Sequence, residues 1–152
     1  AEFIRRGYPR DVFEKAVYDL KKIGVSVIVH TILYLPHETP EMMLETVSYL
    51  NKLPIDGMKL QLLHILKYTD LAEYYEAHPF HLPDLEEYLE LIGLLVSHIR
   101  PDIVIHRITG DGPKSLLIAP LWTGNKRLVL NRLQKHFKDS DIWQGKAYHP
   151  SI

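Results

Sequence analysis

The chain of 152 residues contains no cysteine, and this absence removes several kinds of site. A disulfide framework, a zinc site built on thiolates and an iron–sulfur cluster ligated by this chain are all excluded. No run of about eighteen apolar residues is present, so the sequence predicts no membrane-spanning helix. The formal net charge is −1, so no overall field favours nucleic acid or a membrane surface.

The length and the first residues indicate one domain taken from a longer protein. A chain of this length buries enough surface to form a substantial core. It begins Ala1-Glu2-Phe3-Ile4, without methionine and inside what resembles an element of secondary structure. No signal-peptide pattern is visible, and we expect a cytoplasmic protein. Residues 139–152 have no periodicity, and we expect a mobile tail there.

Three apolar runs, each with a histidine near its carboxyl end, organise the chain. They cover residues 25–33, 58–63 and 103–108, and helical patterns separate them. This spacing is typical of strand–helix units in a parallel sheet, where functional residues collect at the carboxyl ends of the strands. We predict an α/β fold with about three parallel strands, the first buried on both faces. Residues 115–118 are predicted to add a short edge strand.

Helix boundaries follow from capping residues. Thr39 followed by Pro40 predicts one helix start, and Asp84 with Glu87 forms a capping-box pattern at another. A last helix is predicted over residues 125–138. It holds five cations and no acidic residue, which fits either contact with RNA phosphates or an ordinary basic exposed face.

The histidines at the ends of the three runs allow two interpretations. His30, His64 and His106 would lie at the ends of neighbouring strands, where imidazoles could share a divalent ion as in a barrel hydrolase. No carboxylate occupies a comparable strand position, and hydrogen-bonded histidines without a metal are the commoner outcome.

Cations and glycines near the second and third runs indicate a polar ligand site. Lys59 lies within an apolar strand and needs a partner, for which Asp111 and Glu38 are candidates. Arg107 could bind a carboxylate or phosphate, or form a structural pair with an aspartate. The glycines of residues 106–112 permit either close backbone approach or positive φ.

Four motifs resemble the C-terminal half of radical S-adenosylmethionine (SAM) proteins. The nearest subfamily is the bacterial "Fe–S oxidoreductases", which are similar to the elongator-type tRNA-modifying enzymes. Residues 3–8 (FIRRGY) resemble the family's INRGH segment, and residues 30–39 (HTILYLPHET) resemble HxIxGLPGET. Residues 59–69 (KLQLLHILKYT) resemble KLHLLHVLKGT, and residues 106–113 (HRITGDGP) resemble HRLTGDGP.

The resemblance implies half of an incomplete (βα)₆ TIM-like barrel. A cysteine triad in the missing N-terminal half would hold a [4Fe–4S] cluster, which reduces SAM and releases a 5′-deoxyadenosyl radical. This cysteine-free chain would supply part of the SAM and substrate pocket and no chemistry alone. Cofactor contacts would come from Ile32, Leu35, Pro36 and Glu38. The residues facing SAM or substrate would be Lys59, His64, Lys67, His106, Arg107 and Asp111.

The sequence departs from the family pattern at four positions. Tyr34 and His37 stand where the family has glycines, and we expect them to crowd the adenine side of the pocket. A family histidine corresponds to Gln61, and a family glycine corresponds to Tyr68.

Three hypotheses remain open at this point. The chain is a fragment of a radical SAM enzyme, whose substrate could be tRNA by analogy with the elongator-type relatives. Alternatively, it is a self-contained metal-dependent hydrolase that uses the three strand-end histidines. A third hypothesis is a non-catalytic RNA-binding module. The first also predicts self-association of the isolated chain, since half a barrel leaves strand edges unpaired.

Overall fold

The structure, a computed structural model, describes residues 7–150 and contains one parallel sheet with helices on one side. The strands are β1 (Ile28–Leu33), β2 (Gly57–Leu62), β3 (Ile65–Leu66), β4 (Val104–Arg107) and β5 (Leu117–Ala119). The helices are α1 (Arg10–Lys22), α2 (Pro40–Asn51), α3 (Asp70–Ala77), α4 (Leu85–His98) and α5 (Lys126–Asp139). Two 3₁₀ turns, Lys114–Leu116 and Leu121–Gly124, flank β5.

The main sheet has the strand order β1-β2-β4, with all neighbours parallel. His30 of β1 pairs in register with Lys59 of β2, and Lys59 pairs with Arg107 of β4. The register between β2 and β4 shifts at Met58 and Lys59, as at a β-bulge. The predicted α/β fold with three parallel strands and flanking helices is therefore confirmed.

Only one face of this sheet is packed against helices. Along β1 the burial alternates, with Val29, Thr31 and Leu33 buried and the residues between them exposed. The packed face meets α2 and α4, and α4 buries seven of its residues. The prediction of a first strand buried on both faces was wrong, because none of the described elements covers the second face.

The predicted helix starts are confirmed by their hydrogen bonds. Thr39 Oγ1 accepts from the Met42 amide at 3.3 Å at the start of α2. Asp84 Oδ1 accepts from the Glu87 amide at 2.8 Å at the start of α4. These side chains satisfy amides that lack a partner in the first helical turn.

The short strand near residue 117 does not extend the parallel sheet. It forms β5, which pairs antiparallel with β3 in a separate two-stranded sheet. The predicted edge strand over residues 115–118 was therefore correct as a strand and wrong in its placement. Because β3 follows β2 after only two residues, the β3–β5 pair lies beyond the carboxyl ends of the parallel strands.

The segment after α5 is held against the rest of the domain as far as residue 150. Gln144 Nε2 donates to the carbonyls of Arg100 and Ile103 at 2.9 and 2.6 Å. The amides of Gly145 and Ala147 donate to carbonyls near the end of α4. Residues 144–147, within the tail predicted to be mobile, are thus bonded to the domain through hydrogen bonds and not through a periodic apolar face.

Arg100 fixes the connection between α2 and β2. Its Nη1 donates to the carbonyls of Asn51 and Leu53 at 2.6 and 3.0 Å, and its Nη2 donates to Ile55 at 3.0 Å. These bonds satisfy carbonyls that the end of a helix leaves without partners.

None of the helices among residues 7–150 is long and apolar enough to cross a membrane.

Candidate functional site

The uncovered face of the parallel sheet carries polar side chains in its middle and apolar ones around them. His30, Lys59 and Gln61 occupy alternate positions of β1 and β2, on the side opposite the helices. Ile28 and Ile32 are 41% and 44% exposed on the same face of β1. A sheet face with exposed isoleucines indicates a surface that meets another body or a ligand.

The loop after β1 (residues 34–38) is a tight turn held by its own backbone. The Glu38 amide donates to the Leu35 carbonyl at 2.9 Å, and Glu38 Oε1 accepts from the Leu35 amide at 3.4 Å. Tyr34 and His37 adopt φ values of 61° and 65°. Both lie in the left-handed region, which favours glycine because it lacks a Cβ.

Two acidic groups near this loop have raised pKa values. Burial raises the pKa of the half-buried Glu38 carboxyl, although backbone hydrogen bonds from Leu35 and Tyr34 act in the opposite direction. Burial, together with the negative charges of Glu87, Asp84 and Glu90, raises the pKa of Tyr34 to about 12. The Tyr34 side chain is therefore a neutral phenol that is only 4% exposed.

The loop after β1 forms one wall of a large groove along the free edge of β1. The groove encloses about 1840 Å³ and reaches from α1 and α2 to the start of α3. All four residues predicted to contact the cofactor line it: Ile32, Leu35, Pro36 and Glu38. His30 and Asp70 line it as well. Its lining combines apolar side chains with many polar and charged ones, and its volume is larger than that of a typical small-molecule site.

His64 lies under the turn after β4 (residues 109–113). A Cβ placed on Gly110 would lie 2.4 Å from His64 Cε1, and one on Gly112 would lie 3.3 Å from His64 Nδ1. Neither glycine has positive φ, so of the two roles predicted for these glycines the structure supports close approach. The turn therefore needs glycine for the space that the imidazole occupies.

The imidazole of His64 has an unusual environment. Its Nε2 is buried and has no hydrogen-bond partner among the described residues. Burial lowers the pKa of His64, while the negative charge of Asp111 acts in the opposite direction. His64 is thus a neutral ring with an unused polar atom, which is costly unless something else satisfies it.

The cations predicted to face the ligand are divided between several places. His106 and Arg107 line a second cavity of about 620 Å³ between β4 and α5, together with Lys126. Asp111 pairs with Lys126 at 3.4 Å. The suggested partners of Lys59 were Asp111 and Glu38, and neither forms an ion pair with it among the residues described.

The three strand-end histidines do not come together. His64 packs on Gly110, whereas His106 packs over Gly57, where a Cβ would lie 2.6 Å from His106 Nε2. Residues 7–150 contain no group of three or more His, Cys, Asp or Glu side chains placed to hold a metal ion. The alternative metal site at His30, His64 and His106 was therefore wrong, because tertiary packing turns the rings to different neighbours.

Left-handed backbone at four non-glycine positions, Tyr34, His37, Tyr68 and Asp141, was not predicted. Tyr68 has a φ of 66°, close to the values of Tyr34 and His37. Tyr34, His37 and Tyr68 are three of these four, and they are the positions at which the family motifs have glycine. The sequence did contain a signal for this conformation. A position at which the family has glycine often has a left-handed backbone, and this chain has other residues at these positions.

Comparison with known proteins identifies the family. The family model described as the Radical_SAM C-terminal domain matches residues 55–139, which is more than half of the chain. The match contains β2, β3, β4, β5 and α5, and so includes His64 and the turn after β4. The chain belongs to the radical SAM C-terminal domain family.

Curated relatives are about twice as long as this chain. It is 35% identical over 148 residues to the uncharacterised protein YtqA of Bacillus subtilis, covering 97% of this chain and 46% of that protein. It is 30% identical over 148 residues to the uncharacterised protein MJ0486 of Methanocaldococcus jannaschii, again with 97% and 46% covered. Protein YhcC of Escherichia coli is 29% identical over 144 residues, with 95% and 46% covered.

A solved structure shares the fold. The archaeal Elp3 of Methanocaldococcus infernus, studied with an N-terminal deletion, superposes with a TM-score of 0.78 at 19% identity. The superposition covers 94% of this chain and 34% of Elp3.

Proposed function

We propose that this chain is the C-terminal half of the partial barrel of a radical SAM enzyme and that its uncovered sheet face lines the SAM and substrate pocket. The observation that carries the proposal is the groove beside β1. Four residues selected from motif resemblance, Ile32, Leu35, Pro36 and Glu38, line this single groove at the carboxyl end of a parallel strand. In open α/β sheets, ligands bind at this end.

The [4Fe–4S] cluster would belong to the other half of the protein. This chain has no cysteine, and its described residues offer no alternative group of ligands. In the family, the cluster reduces SAM and releases a 5′-deoxyadenosyl radical. The residues of this chain fit a different task, which is to hold the organic part of SAM: apolar Ile32 and Leu35 suit an adenine ring, and Glu38 accepts hydrogen bonds.

The remaining candidate residues would face SAM or substrate from the other strands. Lys59 lies at the centre of the uncovered face, in register with His30 and Arg107. We assign the Lys59 ammonium to an anionic group of the ligand, because its described surroundings leave it without an ion pair. Arg107 also has no ion pair among the described residues, but it lines the cavity between β4 and α5, so its guanidinium would bind an anionic group that reaches this cavity. Lys67, His64, His106 and Asp111 would complete the rim.

A tRNA base is the substrate we favour. This choice rests on similarity to the elongator-type enzymes and on the charge of α5. Arg127, Lys135 and Lys138 are exposed on this helix and form no ion pair among the described residues, whereas Arg132 pairs with Glu86. A row of free cations on a helix suits contact with phosphates. A cytoplasmic location would follow from such a substrate.

The missing half of the barrel is the partner we propose for the two free strand edges. A strand paired with β1 would occupy the part of the groove between α1 and α2 and would leave the end formed by residues 32–38 to SAM. β1 and β4 are the outer strands of the sheet, and unpaired edges bind other strands readily. We expect the isolated chain to associate with itself through these edges. Sedimentation at increasing concentration tests this, and a monomer at every concentration would contradict it.

The decisive experiment uses the full-length protein, purified and reconstituted without oxygen. Iron and sulfide content, together with 5′-deoxyadenosine released from SAM by a reductant, are measured. About four irons per chain and reductant-dependent release would support the proposal. A protein that takes up no cluster and cleaves no SAM would overturn it and leave a likeness of fold alone.

A further inference from the structure

Tyr68 combines two features that are unfavourable in the free protein. Its ring is 94% exposed, so a large aromatic surface faces water. Its φ of 66° places a bulky residue in the left-handed region. The structure around the ring gains nothing from it, and strained residues are retained mostly where they have a function.

The backbone on both sides of Tyr68 is firmly held. The Lys67 amide donates to the Leu116 carbonyl at 2.8 Å. Thr69 donates its hydroxyl to the Leu66 carbonyl at 2.8 Å and accepts from the Ala72 amide at 3.1 Å, which caps α3. The ring therefore projects from a rigid turn, a prepared geometry that lowers the entropy lost on binding.

The residues around Tyr68 are cationic and polar. Lys67 precedes it, and Lys114 begins the 3₁₀ turn whose last residue, Leu116, accepts the Lys67 hydrogen bond. Both lysines are exposed and form no ion pair within residues 7–150. Thr69 and Asp70 on the other side are exposed as well, so the chain neighbours of Tyr68 on both sides are exposed polar residues.

The exposed ring of Tyr68, together with Lys67 and Lys114, indicates which kind of ligand would bind here. A protein partner would favour apolar residues beside the aromatic anchor, and the chain neighbours of Tyr68 are a lysine and a threonine instead. A single-stranded nucleic acid requires an aromatic platform for one base and amines for the adjacent phosphates. We propose that Tyr68 stacks on an unpaired RNA base, while Lys67 and Lys114 contact the flanking phosphates.

The position of Tyr68 relates this platform to the groove. Thr69 and Asp70, the next two residues, line the groove beside β1. A base stacked on Tyr68 would thus stand at the rim of the SAM and substrate pocket. The inference rests on the proposed function, because it names the part of this chain that would hold an RNA substrate.

The test measures RNA binding by the full-length protein. The probes are a fluorescent 12-nucleotide oligoadenylate and a 12-base-pair RNA duplex, in wild type, Tyr68→Gly and Tyr68→Phe. We expect the wild type to prefer the single strand, Tyr68→Gly to weaken its binding by about tenfold, and Tyr68→Phe to stay within about twofold. Melting curves show whether each variant is folded.

Trp143 provides a matched control. It is a half-exposed aromatic beside a lysine, with Lys146 Nζ 4.6 Å from its ring centre. The next residue, Gln144, donates to the carbonyls of Arg100 and Ile103, just before β4. Trp143 therefore lies at the opposite ends of the strands, and Trp143→Ala should leave the affinity for the single strand unchanged.

Three results would overturn the inference. These are equal binding of single strand and duplex, wild-type affinity in Tyr68→Gly, and no RNA binding by the wild-type protein. Cleavage of SAM by the wild-type protein without RNA is scored separately. If it succeeds while RNA binding fails, the radical SAM assignment stands and only the RNA platform is rejected.

Discussion

The loops after the two outer strands of the sheet, β1 and β4, differ in the physical reason for which glycine suits them. After β1, two family glycines are replaced by Tyr34 and His37, and the backbone nevertheless keeps the left-handed φ that suits glycine. After β4, Gly110 and Gly112 are present, yet their φ values are ordinary and the space is filled by His64. A glycine that is needed for its left-handed backbone can be replaced by another residue at a cost in backbone strain. A glycine that leaves room for a neighbouring ring cannot be replaced without a steric clash.

The largest expected effect comes from returning Tyr34 to glycine. The left-handed strain, about 1 kcal/mol, would be relieved. The buried ring would be lost, which costs about 3–5 kcal/mol for a large aromatic residue. We therefore expect Tyr34→Gly to destabilise the protein by about 2–4 kcal/mol in urea unfolding. The control Tyr34→Phe keeps the ring and should lose far less; equal stability of all three proteins would show that the ring does not hold this loop.

Adding a methyl group at Gly110 should have the next largest effect. A Cβ there would lie 2.4 Å from Cε1 of His64, whose half-buried ring packs under this turn. We expect Gly110→Ala to cost about 1–3 kcal/mol, as for overpacking in general. Gly57→Ala is the matched control, because its Cβ would meet His106, an exposed ring that can turn away. Comparable losses in both variants would contradict the distinction between fixed and movable rings.

Returning Tyr68 to glycine should instead stabilise the fold. The ring is exposed, so little packing is lost while the left-handed strain disappears. Allowing for the greater freedom of glycine in the unfolded chain, we expect a gain of about 0.5–1 kcal/mol. The opposite signs for Tyr34→Gly and Tyr68→Gly would separate burial from backbone strain. A loss of stability in Tyr68→Gly would mean that the ring has a structural role.

The smallest expected effect is a change in pH dependence through His64. Because burial lowers its folded-state pKa, the unfolded chain binds the proton more readily. Stability should therefore fall as the pH drops below the ordinary histidine value of about 6.5. His64→Gln should lose less stability between pH 7 and pH 5.5 than the wild type. Asp111→Asn should lose more stability, since it removes the negative charge that favours protonation of His64. Identical pH profiles of the three proteins would show that folding does not change the pKa of His64, as for a solvated ring.

Local signals explain which parts of this fold were predictable. Thr39 and Asp84 cap helices through hydrogen bonds within four residues, so the sequence nearby contains the whole interaction. The contacts of Arg100 with residues 51–55 join segments far apart in the chain and leave no periodic pattern. The tail bonded through Gln144 escaped prediction for the same reason.

The residues of the β1 groove were easier to predict from the sequence than the contacts of the cations on β2 and β4. The residues of the β1 groove were selected from a contiguous motif, and a contiguous motif folds into one wall. The cations on β2 and β4 depend on tertiary pairing, and there Asp111 meets Lys126 instead of Lys59. Each of two histidine rings packs against a glycine distant in the chain, His64 against Gly110 and His106 against Gly57. The spacing of the motifs along the chain therefore does not reveal how the rings are oriented.

The most direct test of the central claim compares two isoleucines on the uncovered face. Ile28 and Ile32 point the same way from β1 and are almost equally exposed, but only Ile32 lies at the carboxyl end and lines the groove. SAM affinity is measured by calorimetry with the reconstituted full-length protein. The account predicts about tenfold weaker binding in Ile32→Ala, from the loss of apolar contact, and unchanged binding in Ile28→Ala. Equal affinities in both variants and the wild type would contradict the claim that this groove holds SAM.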